Sequence, residues 1–233
     1  MTTFGLVHGA WHGAWAWERL IPHLEVLGHR AVAVDLPCDD PAAGCIRYAE
    51  IVDQALPRDD SLVLVGHSLG GLTIPLVARR RPVRSLVFLC AVVPAFGQSL
   101  EELAAADPEM YAGGYGGHPG RVTHPDGSTS WADAASAAEV FYHDCRPEDA
   151  RWAWSRLRRQ APAPRREPCP LTAWPAAERV SILCREDRAI SPAWSRRVAR
   201  QRLGVAAREL PGSHSPFLGH PAELAALLHD LMG

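Results

Sequence analysis

The chain has 233 residues, of which 47% are hydrophobic and 21% charged, and its formal net charge is −2. The length fits one or two globular domains, and the composition is that of an ordinary globular protein. The near-neutral balance, in which every basic residue is an arginine, excludes a protein that binds nucleic acid or anionic lipid through a general excess of positive charge.

Targeting and redox signals point to the cytoplasm. The N-terminus enters a strand-like pattern at once, without the charged and apolar regions of a signal peptide. No run of eighteen apolar residues occurs, so no contact with a membrane is expected. The six cysteines show neither a CxxC pair nor a metal-ligand spacing. We therefore expect free, buried thiols and no metal or organic cofactor.

Short apolar runs alternate with segments of helical periodicity along the chain. Strands are predicted at residues 3–8, 30–35, 61–65, 84–89, 179–184 and 206–210. Several are continuous apolar runs, as expected for strands buried on both faces. Helices are predicted at residues 15–27, 47–56, 69–79, 192–202 and 221–231. The alternation predicts an α/β fold with a six-stranded, mostly parallel sheet flanked by helices.

Residues 94–176 interrupt this alternation because they contain no run typical of a sheet-core strand. They include a predicted hairpin around the turn Asp126-Gly127, a helix at 147–160 and a proline-rich return. We interpret residues 94–176 as a cap inserted over the carboxyl edge of the sheet, where ligands bind in open α/β sheets. Residues 1–93 and 177–233 would form the core.

The segment Gly66-His67-Ser68-Leu69-Gly70 fits the pattern G-x-S-x-G. The pattern is weak alone, but here it follows the apolar strand SLVLV and opens a helix. This strand–turn–helix context is what a nucleophile elbow requires, because the tight turn leaves no room for side chains two residues from the serine. We predict that Ser68 is a nucleophile, rather than part of an ordinary glycine-rich turn.

A nucleophilic serine needs a base, and the base needs an orienting acid. In the fold that places a serine on such an elbow, the acid and then the histidine follow the serine along the chain. Asp187 follows the predicted strand at 179–184, and His214 follows the last predicted strand. Both loops would lie at the same edge of the sheet as Ser68. We therefore predict Ser68 as nucleophile, His214 as base and Asp187 as acid.

Three other residues compete for these roles. Glu186 is adjacent to Asp187, and Asp144 in the cap is another candidate acid. His220, before the final helix, is another candidate base. His214 and Asp187 could also be ordinary surface residues, but that reading does not explain why both follow strands in the required order.

The N-terminal stretch contains HGAW twice, at residues 8–11 and 12–15. An oxyanion needs two N–H donors, which we assign to the backbones of Leu69 and Ala10, with Gly9 bending the chain toward the site. The second copy would start a helix. A structural role for His12 is favoured over catalysis.

Together, VHGAWHGAW, DLP, GHSLGG, CREDRAI and GSHSPF resemble the α/β-hydrolase superfamily. The resemblance is to the compact branch of plant methylesterases, hydroxynitrile lyases and bacterial esterases similar to pyrethroid hydrolases. It implies an α/β-hydrolase fold over nearly the whole chain. Lyases of this branch carry a threonine where Gly9 stands and a lysine where Ser215 stands, so these positions favour an esterase. Ser68 disfavours the dehalogenating relatives, which use aspartate.

The resulting hypothesis is a serine esterase acting on a small-molecule carboxylic ester with an apolar part, as a monomer or homodimer. Gly9 is expected to contact the substrate. Trp131, Phe141 and the residues around Pro94 are candidate pocket walls, although each could equally be plain core. Two alternatives remain open. One is a thioesterase, lactonase or cyclase acting on a biosynthetic intermediate, and the other is a non-catalytic ligand-binding homologue.

Overall fold

Six strands form the main sheet in the order β2-β1-β3-β4-β7-β8, and every neighbouring pair is parallel. The structure is a computed structural model that describes residues 1–58, 61–113 and 115–231. Residues 59, 60, 114, 232 and 233, which fall within the predicted core and cap ranges, lie outside the described residues. The predicted α/β sheet of six parallel strands is confirmed.

The strands have the following bounds: β1 Thr3–Val7, β2 Arg30–Val34, β3 Leu62–His67, β4 Ser85–Leu89, β5 Arg121–Thr123, β6 Thr129–Trp131, β7 Glu178–Cys184 and β8 Arg208–Leu210. The α-helices are α1 Leu20–Val26, α2 Cys45–Ala55, α3 Ile74–Ala78, α4 Leu100–Ala106, α5 Ala134–Phe141, α6 Pro147–Trp154, α7 Ala163–Arg166, α8 Pro192–Val198, α9 Pro216–Gly219 and α10 Pro221–Asp230. Among the described residues, no helix is long and apolar enough to cross a membrane.

Prolines shorten two of the predicted helices. The segment predicted at 15–27 is a 3₁₀ turn, Ala14–Trp17, followed by α1. The segment predicted at 69–79 is a 3₁₀ segment, Ser68–Leu72, followed by α3. A proline lacks the N–H that an α-helix needs, and its ring clashes with the carbonyl four residues earlier. Pro22 and Pro75 can therefore stand only in the first turn of a new helix.

Two more α-helices are shorter than predicted, one ended by tertiary hydrogen bonds and the other continued by a π-helical segment. The helix predicted at 147–160 stops at Trp154, because beyond it the N–H of Arg158 donates to the carbonyl of Trp11 and that of Gln160 to Thr129. The helix predicted at 192–202 is α-helical only to Val198 and continues as a π-helical segment.

The segment between β4 and β7 adds no described strand to the main sheet. Its only described strands are β5 and β6, an antiparallel hairpin whose turn contains Gly127 at φ 79°. The hairpin was predicted from the Asp126-Gly127 dipeptide. The division of the chain into core and cap at residues 94 and 176 stays a prediction.

Parallel strands bring their carboxyl ends to one edge of the sheet, and that edge positions the site. The loop after β1 contains Gly9 and Ala10, and the residue directly after β3 is Ser68. Asp187 lies in the loop after β7, and His214 lies in the loop after β8. Because β1, β3, β4, β7 and β8 are consecutive in the sheet, the loops lie next to one another.

Candidate active site

The turn after β3 holds Ser68 in a strained conformation. Its φ is 51°, in the left-handed region that non-glycine residues seldom adopt, and the side chain is partly exposed. A Cβ on Gly66 would lie 2.7 Å from the carbonyl oxygen of Gly70, and one on Gly70 would lie 2.7 Å from that of Val7. The turn closes tightly against itself and against β1, and this closure presents Ser68 at the strand end.

His214 and Asp187 form a buried pair on the neighbouring loops. Nδ1 of His214 lies 2.8 Å from Oδ2 of Asp187, and each side chain is 2% exposed. The other oxygen of Asp187 accepts hydrogen bonds from the N–H groups of Ala189 and Ile190, at 2.8 and 3.0 Å. Because a carboxylate only accepts, Nδ1 carries the proton and Nε2 of His214 remains able to accept one.

The residue before Ser68 links the serine turn to His214. Nε2 of His67 donates to the carbonyl oxygen of His214 at 2.9 Å, and the two rings lie 4.7 Å apart. Burial and the neighbouring His214 hold the pKa of His67 well below its usual value. His67 is therefore neutral and holds the turn of Ser68 against the loop that carries His214. It was not singled out in the sequence, because nothing in a local pattern distinguishes it from a strand residue.

Within the described part of the chain, the three competing candidates, Glu186, Asp144 and His220, do not contact the ring of His214 through a hydrogen bond. Glu186 and Asp144 instead bind the backbone of the loop that carries His214. A carboxylate oxygen of Glu186 accepts a hydrogen bond from the N–H of Gly212. Asp144 accepts from the N–H of Ser213 at 2.9 Å, and it pairs with Nε2 of His220 at 3.2 Å. Among the described acids, only Asp187 is hydrogen bonded to the ring of His214.

The loop after β1 lies directly against the serine. A Cβ on Gly9 would lie 2.8 Å from Cβ of Ser68 and 2.9 Å from Nδ1 of His67. Ala10 and Leu69, the two predicted donors, are 8% and 5% exposed. Glycine at position 9 is what permits the loop and the serine turn to approach this closely.

The two histidines of the doubled HGAW bind the backbone of this loop. Nδ1 of His8 donates to the carbonyl of Gly9 at 2.8 Å, and its Nε2 accepts from the N–H of Leu36 at 3.0 Å. Nδ1 of His12 donates to the carbonyl of Ala10 at 2.7 Å, and its Nε2 accepts from the hydroxyl of Tyr142 at 2.8 Å. Burial lowers the pKa of His8 to about 4 and that of His12 to about 3, so both rings are neutral.

The predicted wall residues lie in one aromatic cluster beside His214. The ring of Phe141 lies 5.7 Å from that of His214, and Trp131 lies 4.8 Å from Phe141. The ring of Trp11 lies 5.8 Å from those of Trp131 and Phe141. The ring of Tyr115 also packs against both of them. Trp131 is 6% and Phe141 1% exposed. Trp11 and Tyr115 were not predicted, although the doubled HGAW marked Trp11 as a residue of the loop.

One set of metal-capable side chains occurs among the described residues. Sγ of Cys90 and one donor atom each of Asp187 and His214 lie within 4.8 Å of one another. Thiolate, carboxylate and imidazole are zinc ligands. Here burial raises the pKa of Cys90 well above its usual value, and the other two groups already bind each other. This set is therefore better suited to a hydrogen-bonded pair beside a neutral thiol than to a resident metal.

A family model, two related proteins and a solved structure all relate this chain to alpha/beta hydrolases. The sequence model described as "Alpha/beta hydrolase family" matches residues 6–227. Methylesterase 2 of Arabidopsis thaliana is 41% identical over 104 residues, which are 39% of this chain and 40% of that protein. The chain thus matches less than half the length of this relative. Salicylic acid-binding protein 2 of Nicotiana tabacum is 30% identical, with 98% of this chain and 96% of that protein covered. The crystal structure of a pyrethroid hydrolase from Sphingobium faniae JZ-2 shares the fold, with a TM-score of 0.78 and 24% identity over 99% of this chain and 97% of that one.

Proposed function

Because this chain belongs to the alpha/beta hydrolase family, as its motifs predicted, we propose that it is a serine hydrolase cleaving carboxylic esters with an apolar part. The observation that carries the proposal is the buried pair of His214 and Asp187 beside the strained turn of Ser68. Esterases among its relatives support the same reaction type.

In the proposed mechanism, the hydroxyl of Ser68 attacks the ester carbonyl and Nε2 of His214 takes its proton. The resulting oxyanion is bound by the backbone N–H groups of Ala10 and Leu69. His214 then gives its proton to the departing alcohol, leaving an acyl group on Ser68. Water, activated by His214, releases the acid. Asp187 keeps the ring of His214 oriented and stabilises its positive charge.

The proposed setting is a reducing compartment such as the cytoplasm. The six cysteines all lie within the described residues and are free thiols, as is usual where disulfides do not persist. The proposed substrate is a small molecule, held against the aromatic cluster of Trp11, Trp131 and Phe141. We propose no nucleic-acid partner, and we expect the protein to act as a monomer or homodimer.

The test is hydrolysis of p-nitrophenyl esters from acetate to decanoate by the wild type and by Ser68→Ala. Loss of the nucleophile is expected to lower turnover by about 10⁴-fold or more. Ser155→Ala, on an exposed residue of the cap, serves as the matched control and is expected to retain activity. Hydrolysis that survives in Ser68→Ala would contradict the proposal.

A fluorophosphonate probe separates the two alternatives. Labelling of Ser68 without hydrolysis of any p-nitrophenyl ester would point to a dedicated thioester, lactone or cyclisation substrate. A lack of both labelling and hydrolysis would favour a ligand-binding protein. That alternative has one observation in its favour, since one of the relatives matched over nearly their whole length is named for binding salicylic acid.

A further inference from the structure

The guanidinium of Arg121, in the segment predicted to be a cap, lies against aromatic rings and has no acidic partner among the described residues. Arg121 begins β5, and its Cζ lies 5.8 Å from the ring centroids of Trp11 and Tyr115. Its Nε is buried without a hydrogen-bond partner, and among the described residues Arg121 forms no ion pair within 4.0 Å. A polar atom buried without a partner is costly, so a guanidinium with such an Nε is suited to receive a ligand of opposite charge.

A second guanidinium, that of Arg165, belongs to α7. The side chain of Arg165 is 18% exposed, and its Nε is also buried with no hydrogen-bond partner in the described part of the chain. Its Nη2 donates to the carbonyl of Gly127 at 3.1 Å. Glu101 lies 3.8 Å from Arg165 but also 3.5 Å from Arg166. One half-exposed carboxylate thus faces two guanidinium groups, and the local charge stays positive.

Two tyrosines lie beside Arg121, whose guanidinium overlies the ring of Tyr115. The rings of Tyr111 and Tyr115 lie 4.9 Å apart. Burial raises the pKa of each tyrosine, and the positive charges of Arg121 and Arg165 oppose that rise at both. Burial and the charge of Arg121 also lower the pKa of Arg165. We call Tyr111, Tyr115, Arg121 and Arg165 the arginine–tyrosine cluster.

This cluster borders the wall of the proposed ester site. Trp11, which Arg121 overlies, follows Ala10 in the loop after β1. The ring of Trp11 lies 5.8 Å from Phe141, whose ring lies 5.7 Å from His214. The arginine–tyrosine cluster is thus connected to His214 through two successive ring contacts, Trp11 with Phe141 and Phe141 with His214.

We propose that the arginine–tyrosine cluster binds a carboxylate at the end of the substrate remote from the scissile ester. Guanidinium groups bind carboxylates through two parallel hydrogen bonds, and phenolic hydroxyls can add further donors. The proposal rests on the proposed esterase function and specifies its substrate class as half-esters of dicarboxylic acids.

The kinetic test compares monomethyl suberate with methyl octanoate, which has the same length but no carboxylate. The wild type is expected to prefer the half-ester in kcat/KM. Arg121→Gln is expected to lower that preference by about 10- to 100-fold, the range of a hydrogen bond to a charged group. Arg121→Lys keeps the charge but loses the planar fork, so it should restore only part of the preference.

The matched control is Arg151→Gln, which removes the same charge from an exposed position on the cap helix α6. It is expected to keep the wild-type preference. A series of half-esters from succinate to sebacate would then give the chain length that best spans the two ends of the site. An equal preference in the wild type and Arg121→Gln would overturn the proposal.

A binding measurement separates this proposal from the esterase proposal. Calorimetry with Ser68→Ala should show that monomethyl suberate binds at least about 10-fold more weakly when Arg121→Gln is added. If no ester is hydrolysed but binding depends on Arg121, the esterase proposal fails and the anion site stands. If neutral esters are hydrolysed and binding does not depend on Arg121, the anion site fails and the esterase proposal stands.

Discussion

Nδ1 of His8 lies 2.8 Å from the carbonyl oxygen of Gly9, while Nε2 of the same ring accepts from the N–H of Leu36. The carbonyl of Gly9 and the N–H of Ala10 belong to one planar peptide unit. By fixing the carbonyl, His8 therefore also fixes the direction of the N–H that we propose as an oxyanion donor. The histidine acts through this peptide, so we regard it as a positioning residue.

We expect His8→Leu to lower kcat by about 10- to 1000-fold, up to the effect of losing one oxyanion donor. KM should change much less, because the peptide acts on the charge of the transition state. His8→Gln, which can still donate to a carbonyl, should recover part of kcat. The measurement is steady-state kinetics, with His23→Leu on the exposed side of α1 as control. A change confined to KM would contradict a positioning role.

The acid of the proposed triad can be tested by comparing adjacent carboxylates. Asp187→Asn is expected to lower kcat by about 10⁴-fold, because an amide at this position favours the wrong tautomer of His214. Glu186→Gln should reduce kcat by less than about 10-fold, since Glu186 binds the backbone of Gly212 and not the ring. Both variants are assayed on the best p-nitrophenyl ester. A larger loss in Glu186→Gln would reassign the acid.

A methyl group at position 9 should damage the site more than the fold. Gly9→Ala would place Cβ 2.8 Å from Cβ of Ser68, so the loop or the serine turn must move. We expect a loss of about 10²- to 10³-fold in kcat/KM, as for a displaced oxyanion donor. Gly117→Ala is the matched control, because its Cβ would meet no atom of the described residues within 4 Å. Unchanged activity in Gly9→Ala would show that the loop does not contribute a donor.

Acidification should destabilise the protein through its buried histidines. Burial lowers the pKa of His8 to about 4 and of His12 to about 3, whereas an unfolded histidine has a pKa of about 6.5. Below pH 6.5 the unfolded chain therefore binds protons that the folded chain does not, and stability falls as the pH falls. From pH 7.5 to 5.0, each histidine should remove about 2 kcal/mol from the free energy of unfolding.

Urea denaturation at these two pH values measures the effect. His12→Gln should be less stable than the wild type at pH 7.5 but should lose about 2 kcal/mol less on acidification. His23→Gln, an exposed histidine, should lose as much as the wild type. An identical loss in His12→Gln and the wild type would show that His12 does not carry the pH dependence.

Local patterns of the sequence were sufficient for much of the fold, because they report the environment of each residue directly. Short apolar runs, several of them continuous, identified all six strands of the main sheet. The Asp126-Gly127 dipeptide identified the hairpin, since glycine readily adopts the positive φ found at Gly127. Helix lengths were less accurate, because the periodic apolar face continues through Pro22 and Pro75 although the hydrogen bonding of a helix cannot.

The sequence by itself determined the strand order along the chain, the serine turn and the presence of an acid and a histidine after later strands. Each of these depends on neighbours within a few residues. Only the tertiary structure decided that the carboxylate of Asp187, rather than that of Glu186 or Asp144, binds the ring of His214.

The neutral state of the histidines and the environment of Arg121 were likewise decided by tertiary structure. His12 is neutral because burial lowers its pKa, and its Nε2 accepts a hydrogen bond from Tyr142, which is 130 residues away in the chain. Arg121 lies over the ring of Trp11, although the two residues are more than a hundred positions apart in the chain. Burial, pKa and ion pairing depend on which distant segments are in contact, and a local pattern of residues does not specify those contacts.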